Sequence, residues 1–139
     1  MHLKFFVAGY PAPKGSKKGY VRGGRAILVE SSKHAAPWAQ AVHWDVRQTL
    51  ALWGTQGCPV AATPMQVRLH FEMPRVGRIE KRIGVVHDRM PDLDKLVRCV
   101  LDALTGLLWK DDGQVWKIEA SKAYVDPSYP PGVHIEVEW

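Results

Sequence analysis

The chain has little cysteine and no long apolar run. Its two cysteines, Cys58 and Cys99, are too few for a zinc site by themselves and allow at most one disulfide. That usage points to a reducing cytoplasm, with Cys99 as helix packing. No stretch approaches the ~20 apolar residues that a membrane helix requires. The opening MHLKFFVAGYPAPKGS lacks the apolar core and small-residue cleavage site of a signal peptide, and its KFFVAG is strand-like. Also missing are a phosphate-binding Gly-rich loop with GK[ST], a GxSxG nucleophile turn, a Cys/His metal pattern, internal repeats and low-complexity tracts. These absences exclude membrane-spanning, secreted disulfide-stapled, zinc-centred, P-loop and serine-hydrolase readings.

What is present is a 139-residue chain with 46% hydrophobic residues and a formal charge of +5. Mean hydropathy is -0.20 and the pI about 9.4. That length suits one domain over residues 1–139 with a real hydrophobic core. The basic balance suits a polyanionic partner. Lys14, Lys17, Lys18, Arg22 and Arg25 fall in one acid-free segment, within a loop region at about 11–25. Arg75, Arg78, Lys81, Arg82 and Arg89 fall in a second, at about 74–90. Together they make up just over half of the 19 Lys and Arg. Such runs are either solvated loops or a surface that tracks phosphates and releases counterions.

The local patterns predict an α+β domain with a mixed sheet and two main helices on one face. Leu3–Ala8 reads as a buried strand and GYPAPKGSKKG as the loop after it. YVRGGRAILVE reads as a hairpin around Gly23-Gly24. Helical spacing runs from Pro37 to Trp53, with Gly54 and Gly57 as the stop. Met65–Met73 alternates strictly, as a half-buried strand does. Pro74–Met90 shows no period and reads as a long loop. Leu93, Leu96, Val97, Val100, Leu101 and Leu104 form one helical stripe, ended by Gly106. QVWKIEASKAYV and VHIEVEW read as two strands joined by DPSYPPG and paired as a hairpin.

Acid concentrates between these last elements, in PDLDKLVRCVLDALTGLLWKDDGQV. Asp92 and Asp94 enter the helix, Asp102 lies on it, and Asp111 and Asp112 follow it. Local structure offers one account: aspartate caps helices, favours their N-terminal dipole and builds turns. Chemistry offers another. Two acid pairs flanking one helix-and-turn unit can return to the same end of it. Hard carboxylate oxygens suit Mg²⁺. An acidic centre in a basic surround is what metal-assisted phosphodiester hydrolysis requires. His70 and His134 sit on strand faces and read as structural, and His87-Asp88 is a weaker functional candidate.

This stretch resembles the signature of the RusA family of Holliday junction resolvases, which are common in phages and prophages. The family pattern runs D-x-D-N, a Lys, L-D-A-L, then D-D-x-Q-V. Here it reads Asp92-Leu93-Asp94, then Leu101-Asp102-Ala103-Leu104, then Asp111-Asp112-Gly113-Gln114-Val115. GYPAPKGS, with Pro13, Lys14 and Gly15, resembles the family's first strand-to-loop segment. The resemblance implies a RusA-like homodimer that nicks two opposing strands of a four-way junction in recombination and repair. It implies Mg²⁺, with Mn²⁺ as a substitute, and no small-molecule organic cofactor or membrane. Asp92, Asp94 and Asp112 match the catalytic, metal-holding acids, with Asp111 the neighbouring candidate and Asp102 in support. Lys95 stands where the pattern has Asn, and Arg98 where it has Lys. Arg98 is expected to meet the scissile phosphate. Lys14, Lys17, Lys18, Arg75, Arg78, Lys81, Arg82, Arg89 and Lys95 are expected to contact DNA. Two rivals share these residues: a less selective nuclease on branched or linear nucleic acid, and a non-catalytic module that binds branched DNA.

Overall fold

The computed structural model describes residues 2–14, 17–30, 33–53, 63–75 and 86–139, with backbone alone at 17–20 and 27–30. In chain order these form β1 (His2–Ala8), β2 (Lys17–Arg22), β3 (Arg25–Glu30), α1 (Ala35–Leu52), β4 (Met65–Met73), α2 (Leu93–Leu104), β5 (Val115–Tyr124) and β6 (Gly132–Glu138). One turn of 3-10 helix, Asp112–Gln114, precedes β5. No helix among the described residues is long and apolar enough to cross a membrane.

Four strands make one mixed sheet in the order β1-β6-β4-β5. β4 and β5 run parallel, while β6 is antiparallel to both β1 and β4. β2 and β3 form a separate hairpin, turned by Gly23 and Gly24 at φ 59 and 74. Two successive positive φ angles are what a tight, twist-matched hairpin turn needs, and Gly supplies them without strain.

The alternation of β4 places Met65, Val67, Leu69, Phe71 and Met73 in the core. Val133, Ile135 and Val137 of β6 join them, with Leu3 and Val7 of β1. Against this face pack Trp38, Val42, Val46 and Leu50 of α1 and Leu96, Cys99, Val100 and Leu104 of α2. The opposite face carries Lys4, Arg68, His70, Glu72, His134 and Glu136, none of them buried. Both helices therefore cover one face of a mixed sheet, in accord with the α+β expectation.

Two expectations are corrected. β5 and β6 do not form a hairpin: β6 pairs with β1 and β4, and β5 pairs with β4 alone among these strands. The reason is burial. Every second residue of β6 is fully buried, which suits a strand flanked on both sides. β5 carries exposed Trp116, Lys117 and Ile118, which suits an edge. The proline-rich connection therefore crosses the end of β4, where Val125 N–H donates to the Met73 carbonyl at 2.9 Å. A Cβ at Gly132, where β6 begins, would lie 2.1 Å from the Val7 carbonyl oxygen. Only glycine permits that approach. The second correction is local: β2 starts at Lys17, inside the stretch read as loop.

Candidate active site

α2 is a 12-residue helix whose two ends carry the two acid pairs. Asp92 is its N-cap, in extended conformation, and its carbonyl accepts from Leu96 N–H at 3.1 Å. The Asp92 carboxylate makes no capping hydrogen bond. Among the described residues its nearest cation is Lys95 Nζ at 3.9 Å, a loose and exposed i,i+3 contact. Asp94 is exposed in the first turn and has no hydrogen-bond or ion-pair partner among the described residues. The local account of these acids thus covers the dipole but not the cap: both carboxylates are accessible at the positive end of the helix.

The segment entering Asp92 is held by β5. Lys122 Nζ donates to the carbonyls of Arg89 at 2.6 Å and Pro91 at 2.7 Å. The Lys122 carbonyl accepts from His87 N–H at 3.2 Å, beside a bridge between Val86 and Ala123. His87 itself is buried and its ring lies 4.7 Å from that of Tyr124. Burial, then the Lys122 ammonium, pushes the His87 pKa below its ordinary 6.5.

The second acid pair sits at the other end. α2 stops at Leu104, with Thr105 as C-cap and Gly106 at φ 87 after it. Asp112 Oδ1 accepts from Thr105 Oγ1 and from Trp109 Nε1, the latter at 2.9 Å. Trp109 is fully buried, so this carboxylate is aimed from the core. Asp111 has a different task. Its Oδ1 accepts from Gly113 N–H at 2.7 Å. Gln114 Oε1 accepts from the N–H groups of Lys110 at 2.8 Å and Asp111 at 3.0 Å. This is a capping box, and it leaves Asp112 as the acid not consumed by the turn.

At 1.5 Å per residue, the 12 residues of α2 span about 18 Å. Asp92 and Asp94 are therefore not brought together with Asp112 within one chain, and the two pairs do not return to the same end of the helix. The other expected residues are distributed as follows. Lys14 is tied to α2 twice: its N–H donates to the Lys95 carbonyl at 3.0 Å, and its ammonium meets Asp102 Oδ2 at 2.8 Å. Asp102 is thus partnered by Lys14 rather than by Arg98. Arg98 is exposed, with no hydrogen-bond or ion-pair partner among the described residues. Arg89 is exposed, three residues before Asp92 in the chain, while Arg75 is partly buried just after β4. Arg78, Lys81 and Arg82 lie outside the described residues, as do the side chains of Lys17 and Lys18.

The outward sheet face carries a separate polar network. Arg68 bonds Glu119 at 2.7 Å and Glu136 at 2.9 Å. Lys117, then Arg68, draws the Glu119 carboxyl down to about 2. His2, Glu136 and Glu138 bring potential metal ligands within 4.8 Å of one another. The Arg68 guanidinium and the His2 ring already meet Glu136 Oε1, at 2.9 and 2.8 Å, and would compete with a cation there.

Sequence reading missed Lys122, Trp109 and Thr105. Lys122 did leave a signal: it pairs with fully buried Phe71, on the face that the helices cover. A lysine there has to find polar partners at the edge of the core. The roles of Thr105 and Trp109 depend on the turn after α2 and carry no periodic signal.

The fold and these groups define an α+β protein whose chemistry-bearing side chains are hard-oxygen donors in a basic surround. A family model described as Endodeoxyribonuclease RusA matches residues 9–138, nearly the whole chain, and the chain belongs to that family. It is also similar to the protein YqaN of Bacillus subtilis (strain 168). The two are 29% identical over 133 residues, covering 88% of this chain and 87% of YqaN.

Proposed function

We propose that this protein is a Mg²⁺-dependent endodeoxyribonuclease that resolves four-way DNA junctions by paired, symmetric nicks. The observation that carries the reading is the pair Asp92 and Asp94. Both are exposed, and neither carboxylate is used as a cap. Asp112, fixed by a buried tryptophan, supplies the third acid. Carboxylate oxygens without competing nitrogen or sulfur donors are the donor set Mg²⁺ prefers, with Mn²⁺ as its substitute.

The separation of the acids supports a homodimer. One chain offers Asp92 and Asp94 at one end of α2 and Asp112 at the other. A two-fold operation that sets two α2 helices antiparallel would bring Asp112 of the partner subunit to Asp92 and Asp94. Two equal sites result, as two opposing nicks require. Asp92, Asp94 and Asp112 would hold the ion, which when bound supplies Lewis-acid charge and a water of lowered pKa. Arg98, without an ion-pair partner among the described residues and one turn beyond Asp94, faces the charge that develops on the phosphate. Lys95 and Arg89 flank the acids and bind neighbouring phosphates.

A labelled four-way junction and a matching duplex, with Mg²⁺ or EDTA and beside Asp94→Asn, test the reading. Paired nicks in the junction alone, lost with EDTA and with the variant, are the expected result. Nicks in the duplex at equal rate would favour the less selective nuclease. Binding without nicks across several junction sequences would favour the non-catalytic module.

A further inference from the structure

The ammonium of Lys122 lies beside the approach to an acid pair, yet among the described residues it bonds to no carboxylate. It spends two of its three N–H donors on the carbonyls of Arg89 and Pro91, at 2.6 and 2.7 Å. Its own carbonyl takes the His87 N–H at 3.2 Å. One residue of β5 therefore grips the backbone at three points just ahead of Asp92. Its side chain leaves β5 on the helix-covered face, opposite fully buried Phe71, and is itself half-buried. An ammonium rooted there has little freedom to wander.

We infer that Lys122 is a positioning residue for Asp92 and Asp94, fixing the backbone that presents them while leaving both carboxylates free for a cation. The inference rests on the reading of that pair as the metal-holding acids. The contrast with the other lysines gives it force. Lys14 neutralises Asp102 at 2.8 Å, and Lys95 leans toward Asp92 at 3.9 Å. Lys122 directs its charge at two peptide carbonyls. A lysine that paired with Asp92 would compete with a metal ion. One bound to the Pro91 carbonyl instead sets the peptide plane from which Asp92 departs, and adds positive potential behind the acids. Displacing a reacting group by about 1 Å costs on the order of 100-fold in rate. Outer-shell partners of metal ligands typically matter about 10–100-fold in affinity.

The test measures Mn²⁺ binding to the protein by titration calorimetry, without DNA. Amide hydrogen exchange at residues 87–92 is followed in parallel. Wild type, Asp94→Asn, Lys122→Met and Lys122→Arg are compared, with Lys122→Gln replacing Lys122→Met if that variant fails to fold. The expected result is a 10–100-fold weaker Mn²⁺ affinity in Lys122→Met with faster exchange at 87–92. Lys122→Arg, which can still donate to both carbonyls, should recover most of both. Wild-type Mn²⁺ affinity in Lys122→Met, with Asp94→Asn impaired, would overturn the positioning role and leave the acid site standing. Mn²⁺ binding unchanged in Asp94→Asn would overturn both. Weakened binding that Lys122→Arg does not recover would also reject the clamp.

Discussion

Trp109 Nε1 donates to Asp112 Oδ1 at 2.9 Å from a fully buried indole. The same N–H lies 3.1 Å from Thr105 Oγ1, which also donates to Asp112. An exposed carboxylate is thus held by a core side chain and a helix C-cap. Trp109→Phe keeps most of the packing and removes the donor. It should cost about 1 kcal/mol of stability and lower Mg²⁺-dependent cleavage about 10–100-fold. Trp109→Ala should cost about 3–5 kcal/mol, because it also leaves a cavity. Denaturant melts beside single-turnover cleavage separate the two effects. A Phe variant with wild-type cleavage would show that the indole serves packing alone.

Arg98 and Lys14 should respond differently to DNA. Arg98 has no ion-pair partner among the described residues, whereas Lys14 is committed to Asp102 at 2.8 Å. If Arg98 meets a phosphate, Arg98→Met should reduce the slope of log K against log salt by about 0.9. Lys14→Met should leave that slope nearly unchanged. Its loss should appear instead as about 0.2–1 kcal/mol of stability, as for other partly exposed pairs. Binding isotherms in EDTA at several salt concentrations give both slopes, and equal slope changes would refute the distinction.

His87 predicts an acid sensitivity near the site. Its pKa is lowered from 6.5 in the folded chain by burial, so the unfolded chain holds the proton more tightly. The stability it contributes is present above pH 6.5 and falls as pH drops through the folded value. Tm should decline as pH falls below 6.5, and that of His87→Phe, which keeps a ring against Tyr124, should decline less. Parallel declines in the two proteins would rule out His87 as the source.

The split acid set makes complementation a direct probe of the dimer. Asp94→Asn and Asp112→Asn should each be inactive alone. If each site draws on both subunits, mixing the two allows a heterodimer with one intact site, which nicks one strand. Recovery of about a quarter of wild-type sites follows from random subunit exchange and two-fold symmetry. No recovery under conditions where subunits exchange would mean that each site uses one chain only.

Much of this protein was legible in its residues. The strict alternation of Met65–Met73 set a half-buried strand, and the stripe from Leu93 to Leu104 set α2, because both patterns are local and each residue's face follows from its place in the period. The motif from Asp92 to Val115 carried the family. Asp111 and Asp112 could be read as acids that build a turn, but the cap that Gln114 adds could not. Tertiary structure alone decided the strand order, since the place of β6 between β1 and β4 depends on which edges gain burial across the whole sheet. It also decided how far apart the acids stand. Neighbours along the chain were separated by the stiffness of one helix, whereas Lys14 met Asp102, and Lys122 met Pro91, only because strands and helix packed on one core. Periodicity assigns a residue to a face; only packing assigns that face its neighbours.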